Sequence, residues 1–388
     1  MATTSAEATA SWPELLGSND WKGLLDPLDL GLRRLILRCG DFCQATYDAF
    51  NNDGNSNHAG SSRYGKKSFF DKVMLKSASD YQVSCFLYAT AKVTVAEAVF
   101  LHSLSHESWD RESNWIGYIA TNTDAATRAL GRREIYVVWR GTTRNYEWIN
   151  VFGARLESAA QLLRGGGQDV DDDHVPKVMN GWLEIYVSTD ENSSFTKLSA
   201  RSQLWRKIQE IREVYKNEQL SITLTGHSLG ACLAILSAFD LVENGVTDIP
   251  VAAVVFGSPQ VGNKAFRERV EQFPNLKILH VKNKIDLIPL YPSAILGYRD
   301  VGVELEIENK KLTMNPSDWH NLQGMLYAVA GWKGAEGEFE LKNRGVVRDE
   351  NGEWISAPPA DEDEPVPEFS REDGDSAFLF FIMACLPR

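Results

Sequence analysis

Between residues 133 and 283 short runs of branched apolar residues alternate with longer segments whose apolar residues recur every three to four positions. The runs REIYVVWRGTT (133–143), SITLTG (221–226), VAAVVFGSP (251–259) and LKILHVKN (276–283) predict β-strands, rich in branched residues and bounded by turn formers. In SQLWRKIQEIREVYKNE (202–218), Leu204, Ile208, Ile211 and Val214 with Tyr215 share one face, the period of an amphipathic helix. Helical patterning also marks residues 32–50 and 320–332. Strand and helix alternating in this order predict a largely parallel sheet covered on both faces. No repeat at a solenoid period interrupts it.

Three polar tracts break the pattern. NNDGNSNHAGSSRYG (51–65) reads as a solvent-exposed loop. LRGGGQDVDDDHVP (163–176) clusters Asp169, Asp171, Asp172 and Asp173, but it lacks the glycine and distal glutamate of a calcium loop, so a solvated turn is expected and no metal. APPADEDEPVPEFSREDGD (357–375) has the proline and acid content of an extended or disordered tail. The final SAFLFFIMACLPR (376–388) is too short to cross a bilayer and suits a docked strand or short helix. No stretch elsewhere reaches the apolar length of a membrane span.

One apolar run is interrupted at its centre. In SITLTGHSLGACLAILSA (221–238) a branched strand enters Gly-His-Ser-Leu-Gly and a helix-forming run leaves it, the setting of a nucleophile elbow. So sharp a turn strains the serine backbone and leaves no room for flanking side chains, which accounts for Gly226 and Gly230 beside Ser228. A serine hydroxyl needs a base in contact with it and a carboxylate to hold that base, in the chain order serine, acid, histidine. Downstream lie two histidines: His280, inside a predicted strand, and His320, on a loop free to reach over the sheet and the better base. His227, adjacent to the serine, is expected to point elsewhere. Asp286 follows the 276–283 strand at the carboxyl end, where such sites gather, while Asp248 precedes a strand at the opposite edge. Asp286 is the better carboxylate, with Asp318 a competitor and Asp300 a weaker one. The backbone N–H of Leu229 is one expected oxyanion donor. Thr142, after the close-approach residue Gly141, is the other, through amide and hydroxyl.

Bulk composition narrows the classes. With 388 residues, 43% hydrophobic and 24% charged, the chain matches an ordinary globular protein. Its net charge of −13 and lack of a basic stripe exclude nucleic-acid binding. Five cysteines without a CxxC pair leave one unpaired under any disulfide scheme and point to a reducing compartment, and the first residues carry no secretory or transit pattern. A cytoplasmic location is expected.

VVWRGT (137–142), LTGHSLGACLA (224–234), VVFGSPQVGN (254–263), VKNKIDLIPLYP (281–292) and SDWHNL (317–322), in this order, resemble the class 3 lipase family, most closely its plant cytosolic sn-1-specific phospholipase A group, over residues 12 to 343. The resemblance implies an α/β-hydrolase fold: a mostly parallel central sheet flanked by helices in a single large domain, here residues 1–343, with 344–388 as a partly disordered acidic, proline-rich extension. It implies Ser228 as nucleophile, Asp286 and His320 completing the triad, Thr142 in the oxyanion hole, and no cofactor or metal. The implied reaction is hydrolysis of the sn-1 acyl ester of phospholipids, extending to mono- or diacylglycerols or galactolipids, presented at a membrane or aggregate surface. RNYEWINVFGARL (144–156), directly after the oxyanion loop, is either a lid or a helix with an ordinary core face. The chain departs from the family at its end, where a further helix and a tryptophan-containing segment are missing. A non-catalytic lipase-like interaction module and a carboxylesterase for small esters are the competing readings.

Overall fold

Seven strands form one sheet and lie in it in chain order: β1 (Tyr81–Ala89), β2 (Asn114–Asn122), β3 (Arg133–Trp139), β4 (Leu220–His227), β5 (Val251–Phe256), β6 (Leu276–Asn283) and β7 (Val303–Ile307). The computed structural model of the protein describes residues 10–75, 77–90, 113–142, 155–165, 174–308, 316–331, 346–348 and 354–356. The pairings from β3 through β7 are parallel and those joining β1, β2 and β3 antiparallel.

Alternation within each strand divides the core in two, because successive side chains leave a strand on opposite faces. Ile135, Val137 and Trp139 join Ile222, Leu224, Val251, Ala253 and Val255 on one face. Tyr136 and Val138 join Ala252, Val254, Phe256, Leu279 and Val281 on the other. Helix α1 (Leu30–Ala49) covers the second face with α6 (Leu322–Gly331). The first is covered by α2 (Asn180–Val187), α3 (Ala200–Val214) and α4 (Leu229–Glu243), while α5 (Lys264–Glu271) joins β5 to β6. Helices on both faces of a mostly parallel sheet are the α/β-hydrolase arrangement that the motifs imply.

The predicted strands stand, two of them shortened, the 276–283 run unchanged and the 221–226 run one residue longer at each end. The 133–143 run leaves the sheet after Trp139 and the 251–259 run after Phe256, since their ladder partners Gly226 and His227 are the last residues of β4 before the chain turns. Strands β1 and β2 went unmarked because Gln82, Ser84, Asn114, Gly117 and Thr121 break up their apolar runs. A short antiparallel pair, Val346–Arg348 with Trp354–Ser356, falls within the expected C-terminal extension. Residues 143–154, which hold most of the candidate lid, the 169–173 acid cluster, the 357–375 tract and the 376–388 segment lie outside the described residues. No helix among the described residues is long and apolar enough to cross a membrane.

Helix α4 is buried along its whole length, and one carboxylate ties it to its neighbours. Asp240, fully buried, accepts hydrogen bonds from Tyr186 Oη (2.9 Å), Arg201 Nε and Nη2 (2.9 and 2.7 Å), Trp205 Nε1 (2.7 Å) and Asn244 Nδ2 (2.9 Å). These donors come from α2, α3 and the end of α4, so the network sets the position of the helix that begins beside Ser228. Asp240→Ala leaves a guanidinium and three polar groups without their acceptor. It is expected to cost about 3–5 kcal/mol in urea unfolding followed by circular dichroism.

Candidate active site

Strand β4 and helix α4 meet at Ser228, whose backbone (φ 59°, ψ −125°) lies where L-residues rarely go, at a cost of about 1–3 kcal/mol. Two hydrogen bonds pin the turn: Ser228 N–H donates to Phe256 O at 3.0 Å, and Ala231 N–H to Ser228 O at 3.0 Å. A Cβ on Gly226 would overlap the Gly230 carbonyl, and one on Gly230 would overlap the Trp139 carbonyl at the end of β3. The first collision is the one expected across the turn; the second adds a neighbouring strand. Leu229 opens α4, so its N–H belongs to the positive end of a buried helix.

His320 follows a short helical turn, Pro316–Trp319, and precedes α6. Its Nδ1 lies 2.6 Å from Asp286 Oδ2, with both side chains buried. A carboxylate only accepts, so Nδ1 carries the proton and Nε2 is left with the lone pair that a base requires. Asp286 is itself held: its Oδ1 accepts from Ile288 N–H at 3.0 Å, and it stands at the carboxyl end of the sheet just after β6.

Three contacts hold His320 and the residue before it. Asn283 Nδ2 donates to Trp319 O at 3.0 Å. Gly257, at φ +53°, leaves the ring its space, since a Cβ there would come within 2.8 Å of His320 Cε1. The third contact comes from His227, whose Nε2 lies 2.8 Å from His320 O, while its Nδ1 is 2.7 Å from Tyr47 Oη. The carbonyl accepts, so Nε2 donates and Nδ1 accepts a hydrogen bond from the Tyr47 hydroxyl. His227 does point away from Ser228, as expected, but towards the site's own histidine. This role escaped the sequence reading because Tyr47 and His320 are distant along the chain. The available signal was a polar residue inside an otherwise apolar run.

The rival residues are engaged elsewhere. His280 is buried in β6 and its Nε2 accepts Ser258 N–H at 2.9 Å. Asp248 pairs with Arg212 at the surface. Asp300 lies exposed, with its carboxyl pushed up from the usual carboxylate range by partial desolvation, and it is Asp286 rather than Asp300 or Asp318 that takes His320 Nδ1. Thr142 stands just past β3, half-buried. Gly141 before it packs on the elbow, where a Cβ would lie 2.6 Å from His227 O and overlap the Tyr47 hydroxyl. The Gly141–Thr142 loop, the elbow and the His320 loop therefore meet around Tyr47 and His227. No group of three or more His, Cys, Asp or Glu able to hold a metal occurs among the described residues.

The family model for Lipase (class 3) matches residues 136–295. The chain is 54% identical to phospholipase A1-IIdelta of Arabidopsis thaliana over 418 aligned positions, covering 95% of this chain and all of that one. It is 47% identical to phospholipase A1-II 5 of Oryza sativa subsp. indica, over 92% of this chain and 84% of that one. The Arabidopsis alignment runs past residue 343, and its 418 positions exceed the 388 residues here, so that relative carries residues this chain lacks. Among solved structures, the LIP2 lipase of Yarrowia lipolytica is similar at 17% identity, a TM-score of 0.48, and coverage of 73% of this chain and 81% of that one. With relatives this similar along nearly its whole length, the chain belongs to the class 3 lipase family, within its plant phospholipase A1-II group.

Proposed function

We propose that the protein is a serine acylhydrolase that cleaves the sn-1 acyl ester of phospholipids, and by extension mono- or diacylglycerols or galactolipids. The observation that carries this reading is the buried His320–Asp286 pair at the rim where the strained turn presents Ser228. In the first step His320 Nε2 takes the Ser228 proton as Oγ attacks the ester carbonyl, and the N–H of Leu229 with Thr142 receives the oxyanion. His320 then protonates the departing lysolipid, and the acyl-enzyme is hydrolysed by a water that the same imidazole activates. Asp286 keeps Nδ1 protonated and supports the imidazolium throughout. The residues in hand supply nucleophile, base and oxyanion donors, and the cycle calls on no cofactor.

The substrate is taken from a membrane or aggregate surface. In support, Leu290 (46%), Ile295 (68%) and Leu296 (50%) are exposed on the segment that follows Asp286 in the chain. Residues 1–343 are the catalytic domain and 344–388 an extension. The place of action is the cytoplasm, which the free thiols of Cys39, Cys43, Cys85 and Cys232 favour.

Two other imidazoles near the site are kept neutral. Burial first, and then the charge of His320, holds His227 well below the usual histidine value. Burial, followed by Lys282 and His320, depresses His280 to about 3. Unfolded, both titrate near ~6.5. Below that pH the unfolded chain binds more protons than the folded one, so stability falls as pH drops from about 6.5 towards 3.

Three outcomes follow. Ser228→Ala is expected to abolish both fluorophosphonate labelling and ester hydrolysis, and Asp286→Asn to lower kcat about ten-thousandfold while the protein stays folded. A phospholipid with different acyl chains at its two ester positions should release the sn-1 acid, read by mass spectrometry of the products. Release of the sn-2 acid, or hydrolysis surviving in Ser228→Ala, sinks the reading. In urea titrations between pH 6 and 4, the unfolding free energy of the wild type should fall more steeply than that of His280→Asn, by about 1.4 kcal/mol per pH unit.

A further inference from the structure

Arg140 lies between the end of β3 and the Gly141–Thr142 loop and is fully buried. Its guanidinium stacks 3.8 Å over the Phe50 ring, Nε donates to Trp115 O at 3.0 Å, and Nη1 donates to Gly141 O at 2.9 Å. Nη2 has no hydrogen-bond partner among the described residues. Burial lowers its pKa to about 10, which still leaves it charged at neutral pH.

Among the described residues, the other fully buried arginine, Arg133, and the partly buried Arg201 are both paired with acids. Arg133 meets Glu218 and Asp124, and Arg201 meets Asp240. Arg140 has two neutral carbonyls and a ring, and no carboxylate among the described residues pairs with it. A buried guanidinium without a counter-charge is costly in the resting protein. That cost is offset where negative charge appears nearby during the reaction.

The contact to Gly141 has a second effect. The C=O of Gly141 and the N–H of Thr142 belong to one planar trans peptide and point in opposite directions. Holding the carbonyl back against Arg140 therefore fixes where the Thr142 N–H points. Rotation of that peptide is further blocked by His227 O and the Tyr47 hydroxyl, against which Gly141 is packed.

We propose that Arg140 is the positioning residue of the oxyanion hole: it grips the Gly141 carbonyl, aims the Thr142 N–H at the oxyanion formed on Ser228, and strengthens that donor with its unpaired charge. The proposal rests on the reading of Ser228 as nucleophile and Thr142 as oxyanion donor. A purely structural Arg140 would affect stability, or substrate and transition state alike. A positioning Arg140 acts on the transition state alone.

The test compares the full-length wild type with Arg140→Gln and Arg140→Lys on a soluble monomeric p-nitrophenyl ester. Each protein is also titrated with an alkyl trifluoromethyl ketone, which adds to the serine as an oxyanion, and with the matching alcohol, which only fills the acyl site. Arg140→Gln is expected to lower kcat about a hundredfold with KM within about threefold, and to weaken the ketone in parallel while the alcohol binds as before. Arg140→Lys, which keeps the charge but not the planar fork, should fall between. A folded Arg140→Gln with kcat within about threefold of wild type, or equal loss of ketone and alcohol, overturns the proposal. Should Arg140→Gln fail to fold, a crystal structure of wild type carrying a fluorophosphonate adduct decides. Thr142 N–H on the phosphonyl oxygen with Arg140 on Gly141 O supports the proposal; a Thr142 N–H turned away, or a carboxylate seated on Arg140, refutes it. Failure of the underlying reading is distinct: the wild type would then take no fluorophosphonate and Ser228→Ala would keep full activity.

Discussion

The backbone of Ser228 holds an unfavourable conformation because everything around it is already fixed. Strand β4 arrives paired on both sides, helix α4 leaves fully buried, and the Gly226 and Gly230 backbones touch across the turn. Relaxing φ at Ser228 would move α4 against β3, whose Trp139 carbonyl already closes on Gly230. The local strain is thus sustained by the packing of the sheet and by the Asp240 network that anchors α4 at its far end. A serine held in this way has little freedom left to lose, the rigidity that the proposed nucleophile would draw on.

Around that turn, buried polar groups are organised by what each can donate or accept. Asp286 accepts, so His320 keeps its proton on Nδ1; the His320 carbonyl accepts, so His227 keeps its proton on Nε2 and accepts a hydrogen bond from Tyr47 at Nδ1. Removal from water excludes charge from His227 and His280 and leaves them as fixed dipoles. Arg140 retains its charge and so contrasts with the neutral groups about it. Helix α1 takes part through Tyr47, which ties an N-terminal helix on one face of the sheet to His227 at the end of β4 and to the Gly141 loop after β3.

Much of this was legible in the chain. Four strands of the parallel core, the elbow, and the choice of Asp286 and His320 followed from branched runs, paired glycines and chain order, because each depends on residues close together in sequence. Strands β1 and β2 escaped because polar residues and Gly117 interrupt their alternation, and their burial is imposed by neighbours they meet only in the folded state. His227, Gly257 and Asn283 escaped as parts of the site because their partners lie far along the chain.

The sequence by itself determined the chemistry: which hydroxyl, imidazole and carboxylate are present, the order in which they occur, and the strand-turn-helix that lifts one of them out of the sheet. Tertiary structure alone decided which nitrogen of each imidazole holds its proton, which arginine stands without a carboxylate among the described residues, and which rival histidine is occupied. Those outcomes depend on burial and on distances of a few ångströms between segments far apart in the chain. Local pattern carries no record of either.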